Sequence, residues 1–412
     1  MTSQIIHWWG MRASFAISSA LFVLGSMITA LSMTYTTIMI GRVLVGLGVG
    51  IGFATSPNYL SEISPKEHRG YFTSWTEIGC NVGILFGFST SLCIHANYFG
   101  FVSGWRLMFA IGCILPLVLI CLALFVMVES PRWLVRRGRY QDGLDVLTRL
   151  YPGGYDVSSV LKDIQNDIEL EKAMQQMHDW NFVVHPSPAV RRMLSIGLGI
   201  AICHEMCGID AIQYYLVFIL QASGITNQLE QAKFLIALAF LKLACLFVSS
   251  SLVDNLGRRP LMLFSAMGMA LALLLIAAQF LVGHDARMED VANDCKFQDR
   301  ASIKFLVTGL SLYLAFFSLG MGPLGWVIPP EIFSTSIRAK AVSLTTFGNR
   351  LTATVMTSTM LSISNAIGWA GYFSLLTAIN ITILGLAYAF LPETKARSLE
   401  EMTEYFLYHQ PR

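Results

Sequence analysis

The sequence predicts an all-α membrane protein made of two related helical bundles, about ten spans in a four-plus-six arrangement. Three observations predict it. The chain repeats its landmarks: Glu62 and Arg69 close an apolar run in YLSEISPKEHRG, and Glu331 and Arg338, again seven positions apart, close another in PPEIFSTSIRAK. Gly10 and Arg12 precede the first pair and Gly257, Arg258 and Arg259 the second. Glu129 and Arg132 in VESPRW, then Glu393 and Arg397 in LPETKARS, follow them. Such a chain-length repeat marks a membrane protein of two similar bundles. Composition agrees, because hydrophobic residues make up 54% of the 412 and charged ones 13%, too few to clothe a soluble globule. Apolar runs long enough for about 30 Å of hydrocarbon recur along the whole chain.

Taken in order, the runs 13–34, 36–59, 71–93 and 106–128 form an incomplete N-terminal bundle over 1–128. Residues 129–190 are amphipathic rather than apolar (DVSSVLKDIQNDIELEKAMQQM), which suits surface helices linking the bundles. The runs 191–222, 232–253, 260–283, 302–329, 340–364 and 367–391 form a six-helix bundle over 191–391, and 392–412 is a tail. Two runs precede Gly257 but none precedes Gly10, so the first bundle is expected to lack two helices. No cleavable signal peptide is evident. The stretch 129–192 is rich in Arg and Lys, including Arg132, Arg136, Arg137 and Arg139, so it is cytoplasmic by the positive-inside rule. Both termini then fall in the cytoplasm. Seven of the eight cysteines lie in apolar runs, so no disulfide framework is implied. The net charge of +2 points to no partner, and nothing suggests nucleic-acid binding.

Charges inside the apolar runs are the functional candidates, because each costs about 2.5–3.5 kcal/mol or more unless it faces a partner or a wet cavity. Lys242 lies mid-run, too deep to reach the surface easily, and Glu77 lies six residues into its run. The densest cluster is AICHEMCGIDAIQYY, with His204, Glu205, Asp210 and Gln213. Asp210, Gln213 and Tyr214 share a helical face, and Gly208 permits a break that would turn both groups inward. The spacing fits no metal motif, and no GxSxG elbow is present, so neither a metal site nor serine hydrolysis is indicated. Lys242 is expected to pair with Asp210 or Glu205.

These residues resemble the sugar porter family of the major facilitator superfamily over essentially the whole chain. The matching pieces are GRVLVGLGVGIGF, YLSEISPKEHRG, VESPRWL, VDNLGRRP, GPLGWVIPPEIF, SIRA and PETKARSLEEM, in the family's order. Glu77, Lys242, His204-Glu205 with Gly208-Ile209-Asp210, and Asn349-Arg350 are most similar to the polyol and monosaccharide carriers. The resemblance implies the two-bundle major facilitator fold and proton-coupled uptake of a polyol, inositol or monosaccharide by alternating access, without a cofactor. Glu77, His204, Glu205, Asp210, Gln213, Tyr214, Lys242, Trp326, Asn349 and Arg350 would bind the solute. Arg42, Asp210 and Lys242 would couple protons, and Trp326 would sit where its helix unwinds. Glu62, Arg69, Glu129, Arg132, Asp254, Arg258, Arg259, Glu331, Arg338 and Glu393 would form a cytoplasmic gate. The plasma membrane is the expected location. A facilitated hexose carrier and a non-transporting sensor of this family are the alternatives.

Overall fold

The computed structural model describes residues 2–64, 69–95, 104–151, 156–177, 186, 188–282, 300–333 and 337–393, and among these the secondary structure is helical, without strands. The chain divides into two compact units, Met1–Gln176 and Met177–Arg412.

In the first unit, α1 (Thr2–Ala30) and α2 (Tyr35–Ile63) form a hairpin whose turn is set by a capping box between Thr34 and Thr37. Their faces meet along small residues. A Cβ on Gly41 would lie 2.3 Å from Thr29 Oγ1 and one on Gly48 2.7 Å from the Ser18 carbonyl, so the glycines of GRVLVGLGVG are what let the backbones touch. The Ser18 hydroxyl donates to the Gly48 carbonyl at 2.8 Å across this seam. α3 (Arg69–His95) lies against α2, and α4 (Gly104–Ile111) with α5 (Ile114–Phe125) lies against α1. Three further helices follow, α6 (Pro131–Arg136), α7 (Tyr140–Leu150) and α8 (Val157–Met177). Ser130 caps α6 by accepting from the Trp133 amide, with Pro131 in the first turn where its missing N–H costs nothing.

The second unit begins with α9 (Pro188–Met206), α10 (Ile209–Tyr214) and α11 (Leu216–Ala222), three pieces of one apolar run. α12 (Gln228–Leu256) and α13 (Arg258–Val282) follow. α14 (Arg300–Phe316), a π turn at Phe317–Met321 and α15 (Gly322–Ile332) make another interrupted run, and α16 (Arg338–Phe390) ends the described fold. α13 is the buried centre, packed on α14 and α16. Phe280 of α13 stacks on Phe373 of α16 with centroids 5.6 Å apart, and Trp369 completes the aromatic core.

Nine of the described helical stretches are long and apolar enough to cross a membrane. The tenth expected run is absorbed into the 53-residue α16, which is broken at Gly368 (φ 75, ψ 167). Its two arms coincide with the expected runs 340–364 and 367–391.

The repeated landmarks fold into one device used twice. Gly10 (φ 86) and Gly257 (φ 92) take a left-handed turn that opens the next stretch of helix. In the first unit the Glu129 carboxylate accepts from the amides of Met11 (2.8 Å) and Arg12 (3.4 Å). In the second, Glu393 accepts from those of Arg258 (3.0 Å) and Arg259 (3.1 Å). A carboxylate on the amides that open a helix satisfies orphan donors and suits the helix dipole. The arginine two places after the glycine reaches back to close a helix end: Arg12 donates to the Leu124 carbonyl and Arg259 to that of Tyr388, both at 2.7 Å.

Candidate functional site

The site is built on a broken helix. α9 stops at Met206, Gly208 turns left-handed (φ 92, ψ 14), and α10 starts at Ile209. A side chain at Gly208 would carry that backbone strain and would press on Leu376 at 3.0 Å. A break inside a membrane run exposes a carbonyl that lipid cannot satisfy. The Cys207 carbonyl is satisfied by protein, accepting from the Tyr313 hydroxyl (3.0 Å) and from the Asn380 amide (3.4 Å).

Across the break, α9 and α10 present their charges to α16. Arg350 donates to Glu205 Oε1 at 2.8 Å and lies 3.7 Å from Asp210 Oδ2. The Glu205 side chain is 1% exposed, Asp210 27% and Arg350 43%, so the guanidinium joins a buried acid to a partly open one. A buried carboxylate held by a cation loses much of its penalty, and charge-assisted bonds of this kind are the strong ones. Asn349 orients Arg350, since its Oδ1 accepts from Arg350 Nε at 2.9 Å while its Nδ2 donates to the Ala201 carbonyl at 2.9 Å. His204 packs beside them. Its Nδ1 lies 3.3 Å from Glu205 Oε1 and 3.3 Å from Asn349 Nδ2.

Lys242 departs from expectation. Its ammonium donates to Gln213 Oε1 at 3.0 Å and lies 5.6 Å from the Phe317 ring centre, while Arg350, not Lys242, bonds to Glu205 and forms the ion pair with Asp210. On the short α10, Asp210 meets Arg350 of α16, and Gln213, offset by about 60° around the helix, meets Lys242 of α12.

Phe317 separates Lys242 from His204, whose ring is 5.4 Å from it. It belongs to the π turn, and a π turn frees backbone groups. Neighbouring hydroxyls take them up: Ser265 donates to the Phe316 carbonyl and accepts from the Met321 amide, and Ser249 donates to the Leu319 carbonyl. The irregular backbone therefore lies upstream of Trp326, which sits inside the intact α15 rather than at an unwound segment. Trp326 stands edge-on to His204 at 6.0 Å, and the Arg350 guanidinium lies over its ring at 5.6 Å. Gly325 lets His204 approach, since a Cβ there would meet the ring at 2.2 Å.

The second unit thus brings together His204, Glu205, Asp210, Gln213, Lys242, Trp326, Asn349 and Arg350. Tyr214 is exposed at the end of α10. In the first unit Glu77 accepts from the Asn81 amide at 3.0 Å, and the Arg42 guanidinium lies over the Phe109 ring at 5.4 Å. Of the expected gate residues, Glu129 and Glu393 cap helices within their own units. Glu331 accepts from Arg258 at 3.0 Å, and Glu62 accepts from the Ser130 hydroxyl. Arg132 lies just inside α6, partly buried. The side chains of Arg69, Asp254 and Arg338 lie outside the described residues, as do residues 283–299 and those beyond Glu393. Sequence reasoning missed Tyr313, Phe317 and Asn380. A polar amide deep in the last apolar run was the available signal for Asn380.

The family model for "Sugar (and other) transporter" matches residues 1–406. The chain belongs to this family of membrane transporters. It is 33% identical over 403 residues to probable polyol transporter 4 of Arabidopsis thaliana, covering 96% of this chain and 72% of that protein. Against the galactose-proton symporter of Escherichia coli the identity is 26%, over 95% of this chain and 79% of the relative. The fold is that of the major facilitator superfamily: a proton:xylose symporter bound to 6-bromo-6-deoxy-D-glucose superposes with a TM-score of 0.79 at 22% identity, over 98% of this chain and 85% of the other.

Proposed function

We propose that this transporter takes up a small uncharged polyhydroxylated solute (a polyol, inositol or monosaccharide) together with protons, by alternating access. The observation that carries the reading is the charge cluster on the Gly208 break. Glu205 and Asp210 offer acceptors, Arg350, Lys242 and Gln213 offer donors, and Trp326 supplies an aromatic face. Two carboxylates against two cations make a polar but nearly neutral lining, which suits hydroxyls and penalises a net charge. Likeness to proteins named as polyol transporters supports the polyol class, and likeness to a galactose-proton symporter supports proton coupling. In the first unit, Glu77 with Asn81, and Arg42, are the polar candidates by the same reasoning. The protein resides in the plasma membrane with both termini and residues 129–190 in the cytoplasm. Glu62, Arg69, Arg132, Asp254, Arg258, Arg259, Glu331 and Arg338, with the two capping glutamates, hold its cytoplasmic ends.

The test is uptake of labelled sorbitol into proteoliposomes holding the purified protein. Myo-inositol and xylose should compete, and organic cations and sugar phosphates should not. Uptake of an organic ion indifferent to every sugar and polyol would overturn the reading.

A further inference from the structure

His204 is buried, 5% exposed, and its Nδ1 faces two neighbours of opposite kind. Asn349 Nδ2 and Glu205 Oε1 each lie 3.3 Å away. Asn349 cannot turn its amide over without loss, because Oδ1 accepts from Arg350 and Nδ2 donates to Ala201. A neutral ring with its proton on Nε2 therefore accepts from Asn349, whereas a ring protonated on Nδ1 donates to Glu205. Each protonation state finds a ready partner without rotation of the ring. Glu205 Oε1 is at the same time the oxygen that Arg350 holds at 2.8 Å. Among the described residues the other ring nitrogen, Nε2, and the other carboxylate oxygen, Oε2, are buried without hydrogen-bond partners, so Nδ1 and Oε1 carry the exchange.

We infer that His204 carries the coupled proton, switching its Nδ1 between Asn349 and Glu205. The inference rests on the proton-coupled reading above and names the group within it. A proton from solution adds to the Nδ1 lone pair and gives an imidazolium whose N–H donates to Glu205 Oε1. Arg350 then shares that oxygen with a second cation, and its hold on Glu205 weakens. Asn349 loses its acceptor on the ring, so one amide N–H is released. The freed guanidinium and amide are donors for solute hydroxyls, which couples the proton to the solute. Release of the proton restores the original bonds. The titratable and charged groups around the ring all enter this balance. They are Glu205 and the Cys203 thiol on α9, the Cys207 thiol in the break, Asp210 on α10, Lys242 on α12 and Arg350 on α16. Tyr313 of α14 is engaged on the Cys207 carbonyl, and Phe317 and Trp326 close the ring's remaining sides without charge.

The test uses full-length protein in proteoliposomes with labelled sorbitol outside and a pH dye inside. In the wild type an inward proton gradient should drive sorbitol accumulation with internal acidification. In His204→Gln proton-driven accumulation should fall at least about tenfold more than sorbitol exchange at equal pH, and the pH dependence should flatten. A wild type that moves sorbitol without protons would sink the proton-coupled reading itself. A coupled wild type with an equally coupled, equally pH-dependent His204→Gln would overturn this inference alone. Asn349→Leu provides a second route should His204→Gln fail to fold. It removes the partner of the neutral ring, so the midpoint of the pH profile should move up by about one pH unit. An unmoved midpoint would overturn the inference equally.

Discussion

The two units solve one problem with different chemistry at their Gly-Arg corners. In both, a left-handed glycine opens a helix, a glutamate from a later segment caps it, and an arginine closes a helix end. The position between glycine and arginine differs. It is Arg258 in the second unit, where the guanidinium reaches Glu331 at 3.0 Å. In the first unit it is Met11, packed in the core with Phe15, Tyr59 and Ala123, and the matching Glu62 takes the hydroxyl of Ser130 instead. The cap is thus the same in both units although the residue between glycine and arginine differs. Backbone amides are fixed in place and lose their partner at full cost, whereas an ion pair that keeps some exposure to solvent is worth less and can be replaced.

That contrast ranks the expected effects of substitution. The largest belongs to the glycines: Gly10→Ala forces a side chain onto a left-handed backbone and sets its Cβ 2.6 Å from Glu129 Oε2, while at Gly257 the nearest Glu393 oxygen is 3.0 Å away. Each should cost on the order of 1–3 kcal/mol from backbone strain alone, with Gly10→Ala the worse by its contact. Thermal unfolding in detergent measures both, and equal losses would mean that the carboxylate contact carries nothing. Next come the caps. Glu129→Ala strands the amides of Met11, Arg12 and Ser130, and Glu393→Ala those of Arg258 and Arg259, so each should cost about 1–3 kcal/mol, Glu129 the more. The smallest effect is Arg258→Met, which gives the second unit the residue of the first. With Glu331 30% exposed, the change should stay within about 1 kcal/mol, and a loss as large as that of Glu393→Ala would reverse the argument.

Most of the fold was legible because its signals are local. Apolar length gave the spans, and Gly208 gave the break in the polar cluster of the fifth expected run, where a left-handed residue was needed. The two runs read on either side of Gly368 from hydropathy are the two arms that its non-helical backbone separates. The site was legible as a set of residues and illegible as pairings. Lys242 and Arg350 are both cations in apolar surroundings, and the choice between them depends on which face of α10 meets which helix, a tertiary fact. Helix irregularity misled in the same way. The resemblance placed an unwound segment at Trp326, but Pro323 sits in the first turn of α15, where it is tolerated, and the irregular backbone is the π turn before it.

The same difference between a replaceable and an irreplaceable ion pair can be put to the site itself. Arg350 holds a carboxylate that is 1% exposed, whereas Lys242 rests on a neutral amide. The most direct measurement is a double-substitution cycle on proton-driven sorbitol uptake, normalised to protein in the membrane. Arg350→Met should be severe because it leaves Glu205 buried without its cation, and Arg350→Met with Glu205→Gln should recover part of the loss, with a coupling of about 1–3 kcal/mol. Lys242→Met should be milder than Arg350→Met and should gain nothing from Asp210→Asn. A severe Lys242→Met that Asp210→Asn rescues, with no coupling between Arg350 and Glu205, would contradict the account.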